Sequence, residues 1–380
     1  MSNNTEVRIL ESLNDVTADQ WDTLVGSHPA LCHAFLQAMH KSGAASPDTG
    51  WHPVYPSLWR SGILVGAMPL YIKTHSYGEY VFDWAWADAY ERHGLHYYPK
   101  LLSAIPFTPI AGPRLLATTQ VDRQHLLETA LKLLEEDEQL SSLHVLFPDD
   151  YASPICQHYQ GLQRDGIQFH WHNRAYADFD DFLACMSHDK RKKIHQDRKR
   201  ALADIDYIEC LQGEDISTAD WAFFHRCYTH TYHMHRSAPY LGHKFFESIH
   251  DSMPSQSVMF VAYRHQQRIA SSWCLRGQDV LFGRYWGAME YVPCLHFELC
   301  YYQPIAFCIR QQLARFEGGT QGEHKLARGL LPVTTRSFHW LKRPQFNHAV
   351  ADFLQQERDG IAIYLDDLND RQPFRSDAVK

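Results

Sequence analysis

The sequence predicts an α/β protein organised as two layered domains in tandem. Three observations lead there. The chain has 380 residues, more than one hydrophobic core usually serves, so two domains of about two hundred residues each are expected. Apolar residues make up 45% and aromatics 13%, enough to offset the ordering entropy of a packed interior. Strand-like and helix-like periodicities also alternate along both halves in a similar order. The expected division is 1–170 and 171–380.

In the first half, Val7 to Leu10 reads as a strand, and Thr17 is placed to cap a helix that buries Trp21 and Leu24. A second helix is expected over His33 to Lys41. Val54 to Trp59, the turn Arg60-Ser61-Gly62 and Ile63 to Ile72 form a predicted hairpin, and Tyr80 to Trp86 a further strand. After Gly94, the segment LHYYPKLLSAI is helix-like, and the proline density between Pro106 and Arg114 excludes a central strand or helix. Asp122 to Leu140 has helical spacing, with Leu126, Leu127, Ala130, Leu133 and Leu134 on one side, and Ser142 to Phe147 reads as a strand.

The second half follows the same plan. Helices are expected over Asp178 to Asp204, Ser217 to His233, His243 to Ser252 and Leu295 to Gln312, the last with a kink near Tyr302 because Pro304 interrupts it. Strands are expected at Tyr207 to Leu211, Val258 to Arg264, Arg268 to Arg276, Val280 to Ala288, Arg315 to Glu317 and Thr334 to Trp340. At an offset of 200 residues, Phe82 aligns with Phe282, Trp86 with Trp286, and Leu95-His96 with Leu295-His296, which suggests duplication.

Tyr285-Trp286-Gly287, the helix from His296, Ala314 to Gly319 (ARFEGG) and Lys325 to Gly329 (KLARG) stand in a distinctive order. With Met68 to Tyr71, Tyr77 to Trp84 and Phe107 to Arg114, they resemble the FemAB-like peptidoglycan biosynthesis/recognition family. That resemblance implies two tandem GNAT-like acyl-CoA N-acyltransferase domains, and transfer of an acyl or aminoacyl group to an amine. Acyl-CoA is a candidate donor. Yet the loop Met289 to Cys294 lacks the glycine-rich turn whose N–H groups usually cradle the donor's pyrophosphate.

Acyl transfer needs a proton acceptor, a clamp for the carbonyl oxygen and groups that hold the donor. The stretch from Phe316 to Lys325 supplies these types, so Glu317, His324 and Glu323 are the catalytic candidates of the second domain. Lys325 and Arg328, three apart, could grip phosphate. Arg284 and Trp286 share a face of their strand, Arg284 as a ligand group and Trp286 as core or platform, and His296 and Glu298 begin the following helix. His235 and Tyr240 are candidates for the acceptor pocket. Asp83 reads equally as a substrate carboxylate or a satisfied polar group of a scaffold domain.

Other signals count against rival classes. His225, His230, His233 and His235 lack the ligand pairing of a zinc site, so no metal is expected. Nine scattered cysteines without a CxxC pair fit reduced thiols; with no signal-like start or apolar run long enough to span a bilayer, a cytoplasmic protein without membrane insertion is expected. The net charge of −8 gives no global attraction to nucleic acid. The basic run from Lys190 to Arg200 reads as a solvated face, the alternative being a phosphate track for an aminoacyl-tRNA.

The leading expectation is an N-acyltransferase acting on a small amine or amino-acid-like acceptor. The alternatives are a non-catalytic binding protein on the same scaffold and an aminoacyl-tRNA-dependent transferase.

Overall fold

A computed structural model describes residues 5–319 and 322–375. The first part of the chain contains β1 (Glu6–Leu10), α1 (Ala18–Val25), α2 (His33–Lys41), β2 (Trp51–Pro53), β3 (Tyr55–Arg60), β4 (Ile63–Ala67) and β5 (Tyr71–Lys73). Next come α3 (Trp84–Arg92), β6 (Lys100–Ser103), β7 (Leu116–Ala117), α4 (Gln120–Glu136), β8 (Ser142–Leu146) and α5 (Ser153–His158).

The middle contains β9 (Leu162–His172), α6 (Phe179–Ala184), α7 (His188–Ala203), β10 (Tyr207–Gln212), α8 (Thr218–Met234) and α9 (His243–Ser252). Three long strands follow, β11 (Ser257–Arg264), β12 (Gln267–Arg276) and β13 (Val280–Ala288). The last part has α10 (Leu295–Phe297), a π-helical turn (Glu298–Tyr302), α11 (Gln303–Arg310), β14 (Arg315–Glu317), a 3-10 turn (Glu323–Arg328), β15 (Leu331–Leu341) and α12 (Pro344–Asp370).

The chain forms two compact units, one of residues up to 166 with 334–362, the other of 167–333 with residues from 363 onward. The contiguous halves 1–170 and 171–380 therefore miss one return of the chain. Residues 334–362 close the first unit because their apolar side chains complete its cores: Phe338 joins Leu126, Leu143 and Val145, while Phe346, Val350 and Leu354 pack with Trp86, Tyr90 and Tyr97. The last three sit at i, i+4 and i+8 on α12, one stripe of a helix that Pro344 opens.

In the first unit one sheet has the order β1-β3-β4-β7, and β15, β8, β6, β5 and β2 are neighbours in another. Helix α4 turns Leu126, Leu127 and Ala130 inward, as its spacing predicts, with Thr119 accepting from the Asp122 N–H as its cap. The second unit orders its strands β10-β11-β12-β13-β14-β9, antiparallel throughout except for the parallel pair β13·β14. Phe260, Leu281, Leu299, Ile305 and Phe316 form its centre.

Several expectations change. Tyr80 to Trp86 is not a strand: α3 starts at Trp84, and Trp86 and Tyr90 are buried one helical turn apart. Trp86 thus lies on a helix and Trp286 on a strand, so the offset-200 alignment does not join equivalent positions. The helix-like reading of LHYYPKLLSAI gives way to strand β6. The 178–204 segment is two helices, and the kink expected near Tyr302 is the π-helical turn, in which the Gln303 N–H donates to the Glu298 carbonyl.

Candidate functional site

In the second unit, β13 pairs with β14 only from Val280↔Arg315 to Phe282↔Glu317. β14 ends there at Gly318-Gly319, while β13 runs on to Ala288 paired with β12. Gly318 lets the backbone turn closely, since a Cβ there would lie 2.6 Å from Leu330 Cδ2. Where the two parallel strands stop pairing, the sheet opens into a small pocket of about 120 Å³. Arg284, Tyr285, Trp286, His296, Cys300 and Tyr301 are among its walls.

Three of these are sequence-predicted site residues brought together: Arg284, Trp286 and His296. Arg284 donates from Nη2 to Tyr285 Oη at 2.9 Å. His296 meets Trp286 edge-on at 4.9 Å between ring centroids. Burial, reinforced by His324, Arg328 and Lys325, lowers the His296 pKa to about 4, so this imidazole is neutral at pH 7. His324 stands one step back, its Nε2 3.0 Å from Tyr301 Oη, with its pKa lowered by burial and by Arg328 and Lys325.

The 3-10 turn carrying His324 is held by ion pairs. Arg328 donates from Nη2 to Asp197 Oδ2 at 2.9 Å and lies 3.5 Å over the Phe297 ring. Tyr302 Oη and Lys193 Nζ also reach the Asp197 carboxylate, at 3.1 and 3.0 Å. Lys325 is buried, donates to the Gly319 carbonyl at 3.1 Å, and has its pKa lowered by burial to about 8.

The remaining candidates stand apart from the pocket walls. Phe316 and Gly318 line the pocket, whereas Glu317 between them takes the other face, receiving the Arg315 Nε–H at 2.9 Å and lying 3.8 Å from His170 Nε2. Burial pushes its carboxyl up to about 7 despite Arg315. Glu323 points outward to Tyr364 Oη at 2.6 Å and Arg371 at 3.1 Å, away from the pocket walls. Glu298 is fully buried in a bidentate pair with Arg198 at 3.0 and 3.2 Å, and Arg328 is occupied by Asp197, so these two build the site rather than offer it free charge.

His235 caps the exposed end of α8, and a chain of ring contacts through Tyr232, Tyr228 and Tyr285 runs from Tyr240 towards the pocket. In the first unit, Asp83 is a buried, paired carboxylate: its Oδ2 accepts from Lys100 Nζ and Tyr97 Oη, each at 2.5 Å, while its Oδ1 has no hydrogen-bond partner. Burial opposes its ionisation, but Lys100 and His144 hold it well below the usual carboxylate range.

Sequence reasoning missed Tyr301, Cys300, Tyr285 and Asp197. Asp197 carried a faint signal, as an acid four residues after Lys193 inside a basic helix. Among the described residues, no group of three or more His, Cys, Asp or Glu could hold a metal ion. No helix of the described residues is long and apolar enough to cross a membrane.

The FemAB-like family model, described as peptidoglycan biosynthesis/recognition, matches residues 12–376. The chain belongs to the FemAB-like family. No curated protein sequence matches this FemAB-like protein. Among solved structures, FemX shares 10% identity over 88% of this chain and 98% of its own, with a TM-score of 0.53. The C-terminal DUF2156 domain of a putative lysylphosphatidylglycerol synthetase from Agrobacterium fabrum shares 9% over 92% and 97%, at 0.52. A tandem GNAT protein from the clavulanic acid biosynthesis pathway shares 11% over 90% and 99%, at 0.44. The chain shares the fold of FemX, and membership of the family supports an acyltransferase-type function.

The turn before α10 does not fit a donor pyrophosphate. It has no glycine, Glu290 pairs with Arg264, and the Leu295 N–H is taken by the Val292 carbonyl.

Proposed function

We propose that this FemAB-like protein transfers an acyl or aminoacyl group to an amine in the pocket where β13 and β14 part. The observation that carries this is the convergence of Arg284, Tyr285, His296 and Tyr301 on one opening of the sheet. The acceptor class is an amino-acid-like amine of the kind found in peptidoglycan peptides, in keeping with the family description.

The amine nitrogen attacks the donor carbonyl, forming a C–N bond and placing negative charge on oxygen. The Arg284 guanidinium, oriented by Tyr285, is the group suited to that charge. The new ammonium gives its proton to His296, neutral at pH 7 because burial lowers its pKa to about 4. The adduct then collapses, and the departing group takes a proton from the imidazolium. Tyr301, joined to His324, lines the same wall and keeps water out of the aromatic corner around His296.

The test is a transfer assay by mass spectrometry with acyl-CoA esters, aminoacyl-tRNAs and a set of amino acids and peptidoglycan peptides. We expect one donor class to support product, and His296→Ala and Arg284→Ala each to lower kcat by roughly 10²-fold or more. Absence of product with every donor, together with a thermal shift from an acceptor peptide alone, would replace the enzyme with a binding protein.

A further inference from the structure

We infer that the outer face of α7 docks on an anionic phospholipid surface. The helix carries seven Lys or Arg between Lys190 and Arg200 against only Asp189 and Asp197, in a chain whose net charge is −8. Its two sides differ. The inner side buries Ile194, Asp197 and Ala201. Asp197 and its neighbour Arg198 there hold Arg328 and Glu298 of the candidate site.

The outer side aligns His188, Arg191, Lys192, His195 and Lys199, which together line one open groove. At 100° per residue they occupy an arc of about 100°, and they extend roughly 16 Å along the helix. Among the described residues, Arg191, Lys192 and Lys199 have no ion-pair partner. Asp189 lies off this stripe, 3.4 Å from His188 Nδ1. Three unpaired cations held parallel on a rigid helix repel one another, so an arriving row of phosphates gains their full attraction without first displacing a protein carboxylate.

The shape favours a lipid surface over a nucleic acid. The stripe lies on a single helix, contains no Phe, Tyr or Trp to stack on bases, and continues to Leu202, an apolar side chain 43% exposed one turn beyond Lys199. Basic clusters on a helix with an apolar neighbour match the chemistry of anionic headgroups. The docking helix is also the one that anchors the His324 turn, so a surface bound there lies beside the candidate site without occupying it.

The experiment is co-sedimentation of the full chain with phosphatidylcholine vesicles, with or without 30% phosphatidylglycerol, at low and high salt. Expected is binding to the anionic vesicles only, lost as salt rises. Arg191→Glu/Lys192→Glu/Lys199→Glu should weaken it roughly a hundredfold, since each Lys or Arg near such a surface contributes about fivefold. Because these side chains make no ion pair, the triple variant should keep the parent melting temperature, and Lys132→Glu/Lys244→Glu elsewhere should bind as the parent does. Equal binding to neutral vesicles, no binding to either, an unaffected triple variant, or tighter binding to a 20-mer of poly(U) than to the anionic vesicles would each overturn the assignment.

Discussion

Replacing Glu317 with Gln should change how stability depends on pH, and by a calculable amount. Glu317 is 4% exposed, and burial raises its carboxyl from 4.5 to about 7. Between those values the folded protein holds a proton that the unfolded chain has released, so this residue makes stability fall as pH rises from about 4.5 to 7. Once both states are ionised the cost is about 3 kcal/mol. Gln cannot ionise and loses that slope. His170, whose pKa burial lowers to about 3, acts oppositely, its contribution being present above 6.5 and lost as pH falls towards 3; it is common to both proteins and cancels in their difference. Urea unfolding of the parent and Glu317→Gln at half-unit steps from pH 4.5 to 8 measures this. The variant should gain about 3 kcal/mol on the parent across that range. A difference that stays constant with pH would show that the carboxyl is not held in the low-dielectric setting described.

Two further substitutions probe how the site is built. A Cβ at Gly287 would fall 2.1 Å from the Cys227 carbonyl oxygen of α8, so Gly287→Ala should cost about 3 kcal/mol or more in denaturant unfolding, and a loss below 1 kcal/mol would mean the helix can retreat freely. Asp197→Ala leaves the Arg328 guanidinium buried without its carboxylate and should cost about 3 kcal/mol, with faster proteolysis near 323–328; unchanged stability and cleavage would show that the turn is held by Phe297 and the backbone alone.

Local chemistry was legible where it repeats within a few residues. The α4 stripe, the cap at Thr17 and the strands from Val258 to Ala288 follow from side-chain period and turn residues, and the structure has them. Tyr80 to Trp86 misled because aromatic alternation imitates a strand, whereas Trp86 and Tyr90 obey the helical period that tertiary packing selects. β9 and α12 were not anticipated. Gly166 interrupts the first, and the second gains its role from burying Phe346, Val350 and Leu354 against Trp86, Tyr90 and Tyr97, more than two hundred positions away.

The same division holds at the site. The sequence determined that Arg284, Trp286 and His296 flank a strand-to-helix passage, since they are close along the chain, and the FemAB-like motifs fixed the family. Only the tertiary structure decided which candidates face the opening. Glu317 is one residue from two pocket-lining neighbours, yet strand alternation sends it to the other face. Glu298 and Arg328 look like ligands in one dimension but meet Arg198 and Asp197 across about a hundred residues or more of chain. A charge's role depends on the partner burial forces on it, and that partner is set by packing, which no local period records.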